Sequence, residues 1–372
     1  MSTSPTPLLL TPGPLTTDAR VRQAMLRDWG SRDEAFIALT AELRARLLAV
    51  VNGVPSHAAV PLQGSGTFAV EAAIATLVGP GHKLLVLING AYGRRIEEIA
   101  VGLGRCVETL TWPEDQPVDP VRVAEALAAD PALSHVALVH CETTTGLLNP
   151  LTLVAAVVAQ AGRDLILDAM SSFGALSIDL ATTPVTAVLA SSNKCIEGVP
   201  GLGFALVTPA ALAAAEGVSA SISLDLHAQW RGFETNGQWR FTPPVQVVAA
   251  LVEALRLLDQ EGGPAARLAR YSANLAVLTQ GMTALGFQPY LNPSFQAPII
   301  ATWRMPTDRA FDFGAFYDAL AARGFVIYPG KLTREPSFRI GCIGAVHPAD
   351  FERLIAAIGE IEPCGSARAG AV

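Results

Sequence analysis

Charge is scarce in this chain, and nothing gathers it into a surface that would hold a polyanion. Only 16% of the 372 residues are Asp, Glu, Lys or Arg, the formal net charge is −7, and no Lys/Arg-rich run occurs. That balance argues against a nucleic-acid binder, which needs clustered cations along the phosphates. A small anionic ligand is still compatible, provided a few local cations hold it. The five cysteines (Cys106, Cys141, Cys195, Cys342, Cys364) are scattered and form no Cys-x-x-Cys pair, so neither a zinc site nor a disulfide framework is indicated. Reduced thiols in a cytosolic protein are the simpler reading. His57, His82, His135, His140, His227 and His347 show no metal spacing, and no metal is expected. Residues Met1 to Pro7 lack the basic start and apolar core of a signal peptide. The longest nearly uncharged stretch, 199–224, is interrupted by glycines, Pro200, Pro209 and Glu216, which disfavours a membrane span. A soluble, cytoplasmic protein is expected.

What is abundant is apolar sequence. At 51% hydrophobic residues over this length, the chain can bury a large core, and two domains are the natural expectation. Leu8-Leu9-Leu10-Thr11-Pro12-Gly13-Pro14 reads as an extended arm turning into a loop. Thr17 to Val51 reads as mostly helical. From Leu84 onward short apolar runs alternate with helical patterns: strands at Leu84 to Ile88, Cys106 to Leu110, Val136 to His140 and Gly203 to Val207, with helices between. Near-continuous apolar strands in this order predict an α/β fold with a mainly parallel, seven-stranded sheet covered on both faces. A long helical pattern from Val245 to Gln260 ends at Gly262-Gly263. The expected division is an arm over 1–16, a large domain over 17–262 and a smaller α+β domain over 263–372. In the last of these, strands are expected near Ile299 to Trp303, Val326 to Tyr328 and Phe338 to Gly341. The tail from Cys364 to Val372 is small and polar.

Chemistry concentrates where the strands end. Leu165-Ile166-Leu167-Asp168 delivers a carboxylate, and Ala187-Val188-Leu189-Ala190-Ser191-Ser192-Asn193-Lys194 delivers a lysine. Such a pair serves either as an ion pair at a sheet edge or as a pyridoxal-phosphate site. The latter needs an amine for a Schiff base and an acid to keep the pyridine nitrogen protonated. Gly64-Ser65-Gly66-Thr67, leading directly into a helix, is an anion site in outline, because glycines admit close approach and the helix start offers free N–H groups. Tyr92, Thr143 to Thr145, Asp168 and Lys194 all fall at predicted carboxyl ends of strands, where ligands of open α/β sheets bind.

These motifs resemble class V of the fold-type I pyridoxal-phosphate aminotransferases, nearly end to end and in the right order. The residues carrying the likeness are Thr11-Pro12-Gly13-Pro14, Gly64-Ser65-Gly66-Thr67, His140-Cys141-Glu142-Thr143-Thr144-Thr145-Gly146, Asp168-Ala169-Met170-Ser171-Ser172, Ser191-Ser192-Asn193-Lys194-Cys195 and Phe338-Arg339-Ile340-Gly341. The Cys-Glu-Thr-Thr-Thr-Gly and Ser-Asn-Lys-Cys pieces are most similar to the branch acting on 2-aminoethylphosphonate and pyruvate. The resemblance implies that Lys194 carries pyridoxal 5'-phosphate as a Schiff base and then moves the substrate proton, while Asp168 pairs with the pyridine nitrogen. It implies that Ser65, Gly66 and Thr67 hold the cofactor phosphate, joined by Thr242 from the second subunit of a homodimer. Tyr92 would stack on the ring, Asn193 and Thr145 would bond its oxygen or the lysine attachment, and Arg339 would clamp the anionic end of each substrate. The partners implied are a small amino donor and a 2-oxo acid acceptor.

Other readings fit less well. Another class V aminotransferase, using alanine or serine with glyoxylate or pyruvate, differs only in the surroundings of Arg339. A cysteine desulfurase would carry His where Asn193 stands. Gly64-Ser65-Gly66 lacks the five-residue spacing of a serine-hydrolase elbow. No Gly-x-Gly-x-x-Gly in a first strand–helix unit and no Walker motif supports a nucleotide site.

Overall fold

The computed structural model describes residues 6–307, 310–332 and 335–361, so the tail from Cys364 to Val372 lies outside it. Seven strands form the central sheet: β1 (Ala58–Gln63), β2 (Lys83–Ile88), β3 (Cys106–Thr111), β4 (Leu133–Val139), β5 (Asp164–Asp168), β6 (Ala187–Ser191) and β7 (Leu202–Val207). Their order across the sheet is β1-β7-β6-β5-β4-β2-β3. Only β7 runs antiparallel to its neighbours, so the other six share one direction and open their carboxyl ends on a single edge.

Both faces of the central strands are buried, which is why β2, β5, β6 and β7 read as nearly unbroken apolar runs, whereas the edge strand β3 is partly exposed and carries Glu108 and Thr109. Along β2, Leu85 and Leu87 pack into the core beneath helix α1 (Glu34–Ala49), with Phe36 and Leu43. Leu84, Val86 and Ile88 point the other way, into the core under α2 (Gly66–Leu77) with Ile74. Successive side chains of a strand alternate faces, so covering both sides leaves no position for a polar residue. Each fully buried Leu, Val or Ile contributes roughly 1.5–3 kcal/mol, so the strand ends, not the strands, are where polar chemistry can sit.

Helix α3 (Ala91–Gly102) follows β2, and α4 (Val245–Glu261) leads through Gly262 into α5 (Gly263–Ala284). Gly262 and Gly263 have φ of +109° and +79°, a region that favours glycine and breaks the two helices apart. Beyond them lies a three-stranded antiparallel sheet of β8 (Ile300–Arg304), β9 (Tyr328–Pro329) and β10 (Ser337–Gly341), ordered β8-β10-β9. It is covered by α6 (Phe313–Ala322) and α7 (Pro348–Ile361) around Trp303, Phe316, Phe338 and Phe351.

Two local features differ from the sequence pattern. The strand expected over Val326 to Tyr328 is divided: Phe325–Val326 pairs in parallel with Leu8–Leu9 of the arm, and Tyr328–Pro329 pairs with β10. The arm thereby docks on the smaller domain, with Leu10 in its core. A helix at Leu226–Asn236 has no strong apolar pattern, burying only Leu226, Gln229 and Phe233. Its ends carry the signal instead: the Asp225 side chain accepts from the Ala228 N–H, and Gly237 closes it at φ +73°. Thr17 to Val51 is mostly helical, as expected: a short helix (Ala19–Gln23), a 3-10 turn and then α1. Among the described residues no helix is long and apolar enough to cross a membrane.

Candidate active site

The shared carboxyl edge gathers seven of the predicted residues around one cavity. Ser65, Gly66, Thr67, Tyr92, Asp168, Asn193 and Lys194 all line it, together with Arg95, Met170, Ser171 and Ser191.

The anion end is built by the β1–α2 turn. Gly64 turns the chain at φ +130°, and Ser65 becomes the N-cap of α2 without spending its hydroxyl on the helix. The N–H groups of Gly66 and Thr67 open the helix and have no acceptor within it. Free donors at a helix start, beside two hydroxyls, attract a phosphate. A side chain at Gly66 would have to displace the Met170 thioether, which packs against this glycine.

Lys194 follows the end of β6, and its loop is tied from several sides. The Glu197 N–H returns to the Lys194 carbonyl at 2.8 Å, and the buried Arg267 donates to the Cys195 carbonyl at 2.6 Å. Its ammonium nitrogen donates to the Pro12 carbonyl at 2.6 Å. The arm presses closely here: a Cβ on Gly13 would come within 2.9 Å of Lys194 Nζ. Burial pulls the Lys194 amine down to about 8 despite the favourable charge of Asp168, and Arg339 and Lys331 push it down further. A lysine in that range supplies a substantial neutral fraction near neutrality, as a nucleophile or base requires.

Asp168 ends β5. One carboxylate oxygen accepts the Met170 N–H at 3.0 Å, and the other has no partner among the described residues. Burial raises this acid to about 6, opposed by the Met170 bond and by the charges of Lys194 and Arg95, and reinforced by Glu142. Above pH 7 it is therefore mostly ionised, yet short of a counter-charge. A protonated ring nitrogen supplies that charge.

Glu142, unassigned in the sequence reading, organises the Tyr92 side. It is fully buried and accepts from the Thr144 N–H (3.0 Å), the Thr144 hydroxyl (2.7 Å) and the Tyr92 N–H (3.2 Å). The Thr144 hydroxyl accepts the Ala91 N–H at 2.9 Å. A carboxylate at the N-terminus of α3 thus satisfies the helix's open donors and fixes Tyr92 at the cavity wall. Gly90 is part of the arrangement, since a Cβ there would lie 2.3 Å from the Glu142 side chain.

Arg339, on β10, is buried and held flat by two carbonyls: Nε donates to Pro329 at 3.0 Å and Nη1 to Thr143 at 2.9 Å. It has no carboxylate partner among the described residues. Arg339 is not itself among the cavity-lining residues, but its charge is felt by Tyr92 and Lys194, which are. Two predicted residues are elsewhere. Thr145 does not line the cavity; it is fully buried and its hydroxyl accepts the Leu147 N–H at 3.2 Å, closing the turn through Gly146. Thr242 is exposed at the surface of its own chain.

An unpaired phosphate cradle, a lysine of lowered basicity and a buried carboxylate with one open oxygen, on the carboxyl edge of this sheet, define a fold-type I pyridoxal-phosphate-dependent enzyme. The residues present fit that cofactor. The "Aminotransferase class-V" family model matches residues 20–319. The chain belongs to the class-V aminotransferase family. It is 54% identical to a 2-aminoethylphosphonate–pyruvate transaminase of Pseudomonas putida, over 95% of this chain and 96% of that one. It is also 54% identical to one of Pseudomonas fluorescens, over 97% and 98%. Its fold matches the crystal structure of an alanine–glyoxylate aminotransferase from Nostoc sp., at 28% identity with a TM-score of 0.89, over 96% of each chain.

Proposed function

We propose that this enzyme transfers the amino group of 2-aminoethylphosphonate to pyruvate, giving phosphonoacetaldehyde and L-alanine, as part of phosphonate breakdown. The observation that carries the reading is Arg339: a buried guanidinium without a carboxylate partner among the described residues, whose charge is felt at Lys194. The relatives named for this reaction support it. When bound, pyridoxal phosphate supplies an electron-withdrawing protonated ring. The chain's own groups do the rest. Ser65, Gly66 and Thr67 hold the phosphate, and Asp168 keeps the ring nitrogen protonated through its open oxygen. Tyr92 covers a ring face, and Asn193 borders the lysine. Lys194 Nζ is the attachment point, and once displaced it removes the proton from the amine-bearing carbon and returns it at the carbon that accepts the amine. Arg339 binds the phosphonate in the first half and the pyruvate carboxylate in the second, so one planar fork serves both.

We further infer a homodimer in which the exposed Thr242 reaches the partner's cofactor phosphate, and a cytoplasmic location. The four described cysteines, all free thiols, support the latter.

Arg339→Lys tests the assignment. A point charge cannot reproduce the fork, and it also forfeits the bonds to Pro329 and Thr143. The expected result is a loss of about tenfold to a hundredfold in kcat/KM for 2-aminoethylphosphonate and for pyruvate alike, measured in separate half-reactions. Loss confined to pyruvate would remove the shared clamp and the reading built on it.

A further inference from the structure

Arg339 alone does not distinguish a phosphonate from a carboxylate, since one guanidinium pairs with either. A phosphonate differs in carrying a second negative charge and a third oxygen, so selecting it calls for a second cation near the first. Three features of the structure converge on such a group. Lys331 stands two residues beyond Pro329, whose carbonyl holds Arg339 Nε. Its ammonium nitrogen lies 5.3 Å from the centre of the Tyr92 ring, within cation–π range. That ring is itself fixed through Glu142, and Thr143, the next residue, provides the other carbonyl that holds Arg339.

Lys331 therefore follows β9, the strand that pairs with Arg339's β10, and stands against the Tyr92 ring. Among the described residues it has no carboxylate partner, and the nearby Glu142 is already engaged by three donors. Arg95, the other cation against this ring at 5.0 Å, lines the cavity with Ser65 to Thr67 and Asp168, on the cofactor side. Arg339 and Lys331 are left on the substrate side as two positive charges without a fixed anion. Burial and the neighbouring charges of Arg339 and Arg95 hold the Lys331 amine below its usual range. An incoming dianion relieves that repulsion more than a monoanion does.

We infer that Lys331 is the second cation of the substrate site: it pairs with the phosphonate group beside Arg339 and sets the preference for phosphonates over carboxylates. The assignment rests on the proposed transamination of 2-aminoethylphosphonate. Lys331 is exposed, so its contribution is that of a solvent-screened pair, roughly tenfold.

The test is Lys331→Met, which keeps the length and apolar contact over Tyr92 while removing the charge. The holoenzyme is titrated calorimetrically with ethylphosphonate and with propionate, which carry the two anionic groups but no amine. Each half-reaction is measured as well. The expected result is about a tenfold weaker ethylphosphonate affinity with a smaller change for propionate. The ratio of kcat/KM for 2-aminoethylphosphonate over alanine should fall by at least about fivefold. Equal losses for both ligands, or no change in either, would overturn the role of Lys331, as would finding the selective loss in Arg95→Met instead. A wild-type enzyme that fails to turn over 2-aminoethylphosphonate would instead overturn the parent reading, so the two failures are told apart.

Discussion

Lys194→Ala is expected to abolish transamination, with a residual rate at least about ten thousandfold below wild type. Alanine removes both the point of attachment and the base at once, and no second amine lines the cavity to replace it among the described residues. The fold should survive. The substitution loses one hydrogen bond, to Pro12, worth about 1 kcal/mol, and relieves the desolvation of a buried amine. The same desolvation predicts a pH signature in wild type. With Lys194 at about 8, roughly a tenth of it is neutral at pH 7, against a few in ten thousand for an unshifted lysine. Uptake of pyridoxal phosphate by the apoprotein, trapped by borohydride and read by mass spectrometry, should therefore accelerate through pH 8 as the amine loses its proton. Labelling of a different lysine, or near-normal turnover by the alanine variant, would contradict the assignment.

Asp168→Asn should lower kcat/KM by roughly a thousandfold while leaving the cavity's shape intact. The amide oxygen can still accept the Met170 N–H, so what disappears is the negative charge facing the ring nitrogen. Stability separates this from a structural defect. The folded-state value of Asp168, about 6, lies above the unfolded carboxylate range. Its contribution to stability is thus fully present below the unfolded pKa and lost as pH rises through about 6. At pH 8 the ionised side chain is a liability to the apoprotein, and the asparagine variant should melt no lower than wild-type apoprotein. A variant that melts lower and keeps turnover within threefold would make Asp168 structural.

The strand ends were legible because the strands themselves are monotonous. β5 and β6 are buried on both faces, so Asp168 and the polar run from Ser191 to Lys194 stand out where the apolar sequence stops. The Gly64 to Thr67 turn was legible for a similar reason, as glycines and hydroxyls abruptly interrupt an apolar strand and helix. Groups that reach the cavity from elsewhere left no such mark. Pro12 meets Lys194 across 182 residues, through a backbone carbonyl that any residue would provide. Glu142 lies within the His140 to Gly146 motif, but its work is to bind N–H groups of a helix that starts some fifty residues earlier. Arg95 lies on a helix face among other charged residues, and Lys331 on a loop. Thr145 shows the reverse case: a polar residue at a strand end, spent on its own turn.

The central claim is that Lys194, Asp168 and Arg339 form one site cycling between 2-aminoethylphosphonate and pyruvate. The visible absorption spectrum of the cofactor-loaded protein tests it most directly, recorded before and after adding 2-aminoethylphosphonate and again after pyruvate. The account predicts that the band of the lysine-bound cofactor disappears with the phosphonate and returns with pyruvate, with L-alanine released. A band that ignores the phosphonate but bleaches with alanine or serine would contradict it and leave an aminotransferase of different substrates.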